Sequence, residues 1–144
     1  MKRLYPEQPI VGVGALILQK GGLLLERRKN QPGKGKWSIP GGVVELGENI
    51  YHAVMREIKE ETDLDVLDCR LLDVVDSITF DEKGAVKYHF VIIDYKVTVV
   101  KGKPVALSDA AELKWVPLDE VEKYDLTDSF RLFFRKNRFR LEET

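Results

Sequence analysis

The sequence predicts one α/β domain, and three observations carry that expectation. Segments 10–19, 23–28, 66–77 and 86–100 are rich in β-branched and aromatic residues and are bounded by Gly, Pro or Asp, as strands are. The stretch 48–62 repeats apolar residues at helical spacing. A second helical stretch, 129–137, spaces Phe130, Phe133 and Phe134 to pack on a sheet. At 144 residues the chain has room for one sizeable core and is too short for two ordinary domains.

The first two strand-like segments face each other across Lys20-Gly21-Gly22 and read as a hairpin. In the second, Leu23, Leu25 and Arg27 share one face and Leu24, Glu26 and Arg28 the other. Arg27 has two readings: a stem that snorkels to the sheet edge, or a phosphate ligand. The loop 30–36, NQPGKGK, reads as solvated, and 37–39 as a short strand leading into a Pro40-Gly41-Gly42 turn whose bare backbone a ligand can approach closely. The helix should start near Glu48 or Asn49, which can cap free amides, and end near Thr62, with Asp63 left-handed behind it.

Segments 66–77 and 86–100 form a long hairpin with the turn at Phe80-Asp81-Glu82-Lys83-Gly84. His89, between Tyr88 and Phe90, reads as a packed or surface histidine, and Lys101-Gly102-Lys103-Pro104 as a further turn. A loop over 106–112, a short strand at 113–116 and a helical segment at 119–124 precede the last helix, whose Arg131, Arg135, Lys136, Arg138 and Arg140 read as a solvated face.

Chemistry concentrates on the first helix. Each residue advances about 100°, so Glu57, Glu60 and Glu61 project into one sector. That sector overlaps the apolar stripe of Ile50, Val54 and Ile58, while His52, Met55, Arg56 and Lys59 take the solvent side. Carboxylates beside a buried stripe repel one another and resist desolvation, so they need a cation or a shared proton. Structural ion pairs are one answer. A hard divalent ion such as Mg²⁺, which favours oxygen ligands and substrate phosphates, is the other.

The stretch 40–64, PGGVVELGENIYHAVMREIKEETDL, resembles the signature box of the Nudix hydrolases. Gly42 is followed after five residues by Glu48 and after seven more by Arg56-Glu57-Ile58-Lys59-Glu60-Glu61-Thr62, with Leu64 closing the box. Asp63 departs, standing where the family pattern has Gly. The resemblance implies an α/β/α sandwich with a mixed β-sheet between helices, the Pro40 turn bringing the helix N-terminus near bound phosphate. It also implies Mg²⁺-dependent hydrolysis, with Mn²⁺ as a substitute, of a nucleoside diphosphate linked to another group.

By the same resemblance the Gly41 carbonyl, Glu57, Glu60 and Glu61 form the metal shell, and Glu48 pairs with Arg56. Glu60 is the first choice for the general base and Glu112 the second. The loop before the Trp115 strand brings one more acid, Glu112 or Asp109. Arg27 faces substrate, and Phe80 or Tyr88 either stacks on the base or packs in the core. PGGVVELGE, Asp76-Ser77 and Tyr88-His89-Phe90 together look most like compact proteins that cleave ADP-ribose or related nucleotide sugars, although Thr79-Phe80-Asp81 stands where subfamily markers fall. Nucleoside triphosphate clean-up and a non-catalytic nucleotide-sensing module are the alternatives.

Composition fits a small-molecule nucleotide partner. A formal net charge of -1, with 44% hydrophobic and 33% charged residues, gives no global attraction to nucleic acid or anionic membrane. The longest apolar run, 11–18, is far short of a membrane span, and MKRLYPEQPI lacks the features of a secretory signal. Cys69 is the sole cysteine, which excludes an internal disulfide and suits a reducing cytoplasm. Neither His52 nor His89 stands at a spacing that would make it a catalytic partner. A homodimer is open.

Overall fold

The computed structural model describes residues 2–99 and 102–142. Seven strands, β1 (Ile10–Gln19), β2 (Gly22–Arg28), β3 (Trp37–Ser38), β4 (Gly41–Val43), β5 (Val66–Phe80), β6 (Val86–Val99) and β7 (Ala110–Pro117), make a mixed sheet. Helix α1 (Ile50–Thr62) lies on one side; α2 (Asp128–Glu142), preceded by a 3₁₀ turn at Leu118–Lys123, lies on the other. The expected α/β/α sandwich is therefore the observed fold. Among the described residues no helix is long and apolar enough to cross a membrane.

The order is β3-β2-β1-β6-β5, with β4 added to β1 and β7 to β2. Strand β1 runs parallel to β6 from Ile10↔Phe90 to Ile17↔Val97. It is buried on both faces, and its period of two feeds two cores. Val13, Ala15 and Ile17 join Leu24, Ala53, Val54, Ile58, Tyr95 and Val97 under α1. Leu16 joins Leu23, Leu25, Val116, Leu126, Phe130, Phe133 and Phe134 under α2. Emptying one such position, as in Ile58→Ala, costs about 2–5 kcal/mol through lost transfer energy and the cavity left behind.

Three expectations are corrected. The Pro-Gly-Gly segment is not a turn into the helix: Gly41–Val43 is a strand on β1, pairing Gly14↔Gly41 and Gly12↔Val43, and residues 44–49 then lead to α1. The helix N-terminus is thus separated from Pro40 by that strand and loop. The first hairpin is real but brief, joined only at Leu18↔Leu23 and Gln19↔Gly22, because β2 turns away to run along β7. Phe80 belongs to β5, and the turn begins at Asp81, whose Oδ1 accepts the Lys83 and Ala85 amides at 2.9 Å each.

Strand β7 begins at Ala110, earlier than expected, and α2 is longer than 129–137. Val100 and Lys101, expected to end β6 and open the following turn, lie outside the described residues.

Candidate active site

Helix α1 is held in register at both ends. Asn49 caps it, its Oδ1 accepting the His52 amide at 2.8 Å. Asp63 closes it in the left-handed region, φ 61° and ψ 15°, and its N–H donates to the Lys59 carbonyl at 3.1 Å. With the ends fixed, Glu57 and Glu61 turn toward the sheet and are 8% and 1% exposed, while Glu60 stays in solvent.

Arg56 faces these acids, not the solvent side assigned to it from helical spacing. Its guanidinium grips Glu48 with Nε to Oε2 at 2.7 Å and Nη2 to Oε1 at 2.8 Å. It also donates to the Val43 carbonyl at 3.0 Å, to Glu57 at 2.7 Å and to Glu60 at 3.3 Å. One side chain thereby ties β4, the loop after it and two helical carboxylates together. Hydrogen bonding to Arg56 holds Glu48 well below the usual carboxylate range, and Glu48 in turn raises Arg56.

Gly41 donates its N–H to Glu61 Oε2 at 3.1 Å. Gly42 presents a bare Cα to the Glu57 carboxylate: a Cβ there would press on Glu57 Cδ and both its oxygens. Gly41 is a steric requirement of the β4–β1 pairing, where a Cβ would meet the Val13 carbonyl oxygen, and Gly42 sets where the Glu57 carboxylate lies. Burial pushes the carboxyls of Glu57 and Glu61 up, and Arg56 partly offsets the effect at Glu57.

A further acid, given no role by the sequence, stands with them. Glu26 on β2 is 2% exposed and close enough to Glu61 for its charge to raise the Glu61 carboxyl, and burial raises its own pKa as well. Its Oε1 has no hydrogen-bond partner. The alternation of β2 put Glu26 on the Leu24 face, which was the available signal. What covers that face depends on α1, which is distant in sequence.

Asp109, one of the two acids expected near the Trp115 strand, is close enough for its charge to raise both Glu26 and Glu57. Asn30 Nδ2 holds its Oδ1 at 2.8 Å. Glu112, the other, is not brought there. The β2–β7 ladder pairs Arg27↔Glu112 and then shifts to Arg28↔Ala110, so Glu112 falls on the Leu23–Leu25 face, opposite Glu26. It accepts from Arg27 Nε at 3.3 Å.

Phe80 and Tyr88 are also remote. Asp94 of β6 lies level with Gly14 and Gly41, and Tyr88 lies six residues, roughly 20 Å, further along the strand. Tyr88 stacks on Phe90, and Phe80 is 60% exposed at the end of β5. Neither is beside the acids, because aromatic composition carries no information about distance along a strand.

Among the described residues no three Asp, Glu, His or Cys side chains converge tightly enough to be an ion cage as they stand. The donors are nevertheless those a hard divalent ion takes: Glu26 and Glu61, which make no ion pair among the described residues, Glu57 and Glu60, which share Arg56, one orphaned buried oxygen, and a glycine backbone that admits close approach. Such an ion retains waters and needs no closed protein cage, so the residues fit it.

The arrangement gathers buried carboxylates against a bare glycine backbone, and the comparisons give the family in which it occurs. A family model described as the NUDIX domain matches residues 8–136. The ADP-ribose pyrophosphatase of Methanocaldococcus jannaschii is 40% identical over 121 residues, 84% of this chain and 69% of that protein. The oxidized purine nucleoside triphosphate hydrolase of Danio rerio is 32% identical over 128 residues, 86% of this chain and 79% of that protein. A MutT NUDIX hydrolase structure from Burkholderia pseudomallei superposes with a TM-score of 0.75 at 36% identity, covering 88% of this chain and 95% of that one. The chain belongs to the Nudix family and is a Nudix pyrophosphohydrolase, of a family that typically depends on divalent metal.

Proposed function

We propose that the chain hydrolyses ADP-ribose, or a related nucleotide sugar, to AMP and the sugar phosphate, with Mg²⁺ held by Glu57, Glu60, Glu61 and the Gly41 carbonyl. The observation that carries the substrate is the 40% identity to a relative named as an ADP-ribose pyrophosphatase. The buried acids Glu57 and Glu61 against Gly41 and Gly42 support the metal assignment.

When bound, the ion supplies charge neutralisation on the diphosphate oxygens and a more acidic water. Arg56 is the positioning residue, fixing Glu57 and Glu60 while it ties Glu48 and Val43 to the helix. Glu60 is the favoured base: its side chain is half exposed, within reach of solvent, and one oxygen is steadied by Arg56 at 3.3 Å. Asp109 replaces Glu112 as the second choice, because its charge is felt at Glu57. Arg27 is not kept as a phosphate ligand: it engages Glu112 through Nε at 3.3 Å and shares with it the Leu23–Leu25 face, on the side of the sheet away from Glu57 and Glu61.

The 32% identity to an oxidized purine nucleoside triphosphate hydrolase favours a second reading, nucleoside triphosphate cleavage. Comparing kcat/KM on ADP-ribose, dinucleoside polyphosphates and canonical or oxidised nucleoside triphosphates with Mg²⁺ tests the choice. ADP-ribose should lead, with AMP and ribose 5-phosphate as products. A tenfold or greater preference for a triphosphate overturns the assignment.

A further inference from the structure

We propose that Glu26 is a positioning residue of the metal centre, acting through Glu61; this rests on the metal site of the proposed function. Strand β2 carries Leu24 and Leu25 into the two cores, both fully buried, so position 26 is an interior sheet position where an apolar side chain would pack without cost. Glu26 is covered to the same degree, paired across the ladders with Ser38 and Leu113. Its Oε1 is sealed from solvent with no donor in reach. A carboxyl in such a place is disfavoured relative to an apolar isostere, and among the described residues no cation pairs with it directly, Arg28 acting only through its charge.

The group it does meet is Glu61, itself 1% exposed. Glu61 thus accepts the Gly41 N–H on Oε2 and has the buried Glu26 carboxyl near it as its second neighbour. Those two neighbours set how the Glu61 carboxylate is presented beside Gly41. Partners that orient a ligand in this way typically contribute 10–100-fold to metal affinity. Glu26→Gln keeps the shape and a hydrogen-bonding side chain but not the carboxyl, and Glu26→Leu removes both oxygens.

The test is Mn²⁺ binding to the full chain, followed by electron paramagnetic resonance, beside metal-free melting temperature and the Mg²⁺ dependence of turnover. Both variants should bind Mn²⁺ at least tenfold more weakly and melt at the same or a higher temperature. Their half-saturating Mg²⁺ should rise by a similar factor, while kcat at saturating Mg²⁺ returns to within a few-fold of the parent. Unchanged Mn²⁺ affinity in both variants overturns the inference while leaving the metal site intact. Loss of affinity that accompanies a fall in melting temperature in both also overturns it, in favour of a purely structural Glu26. If the parent chain itself binds no Mn²⁺, the metal assignment under the proposed function fails as well, and the two failures are told apart.

Discussion

Gly42 lies against the carboxylate of Glu57 with no room between them for a methyl group. Gly42 sits on β4 opposite Val13, and α1 descends on it from the same side, so neither backbone can retreat without breaking the Gly41–Val43 pairing to β1. Gly42→Ala should therefore displace Glu57 and loosen its contact with Arg56. The obstructing atoms are the far end of a flexible side chain, so the melting temperature should change little, while loss of the proposed ligand geometry of Glu57 should lower kcat/KM at least tenfold. Parallel measurement of melting temperature and kcat/KM checks both; an alanine variant with parental kcat/KM would mean that Glu57 has freedom this packing denies it.

Asp94 gives the metal-free protein a pH dependence of stability. It is 3% exposed beside Gly14, whose missing Cβ makes the space, and stands opposite Asp73 on β5. Burial, with a smaller contribution from Asp73, pushes its pKa up to about 7. The folded value lies above the unfolded one, so the stability is fully present below about pH 4 and is lost as pH rises through about 7. At about 1.4 kcal/mol per unit, the loss has a ceiling of about 4 kcal/mol. Asp94→Asn should flatten this part of the profile in chelator-treated protein, measured by urea unfolding between pH 4 and 8. A profile identical to the parent's would show that Asp94 ionises without penalty.

What the sequence revealed, and what it hid, divides along local and non-local lines. The helix limits, the Asn49 cap and the left-handed Asp63 follow from residues within one turn of each other, and they are as expected. The sector shared by Glu57 and Glu61 was likewise a consequence of helical angle alone. By contrast, Gly41–Val43 reads as a turn because glycine is a poor strand former, and only β1, far upstream, makes it a strand. The exchange of Asp109 for Glu112 depends on a register shift between β2 and β7. Glu26 stayed hidden for the same reason, since its burial is created by partners in β3, β7 and α1.

Asp63, the departure from the family box, serves the backbone. Its φ of 61° is a conformation glycine adopts freely, and its carboxylate adds negative charge at the helix C-terminus. Two ion pairs to Lys59, from Asp63 at 3.3 Å and Asp65 at 3.2 Å, offset part of that, and all three side chains are exposed. Asp63→Gly should leave turnover at saturating Mg²⁺ unchanged and raise stability by up to about 1 kcal/mol. A many-fold change in turnover would instead make Asp63 a functional part of the site.

Glu61→Gln separates function from stability most cleanly. Glu61 is buried against Glu26 and near Glu57, and burial and the repulsion of both neighbours raise its pKa, so its ionised form is strained in the metal-free fold. A neutral amide of the same shape relieves that repulsion and can still accept the Gly41 N–H. Turnover should fall by orders of magnitude, because a neutral oxygen is a poor ligand for a hard divalent ion. The melting temperature without metal should be equal or higher. Glu60→Gln should also suppress turnover while scarcely moving the melting temperature, since that side chain is half exposed. Measured together, near-normal turnover with a large loss of stability at position 61 would identify these carboxylates as structural ion-pair partners instead of metal ligands.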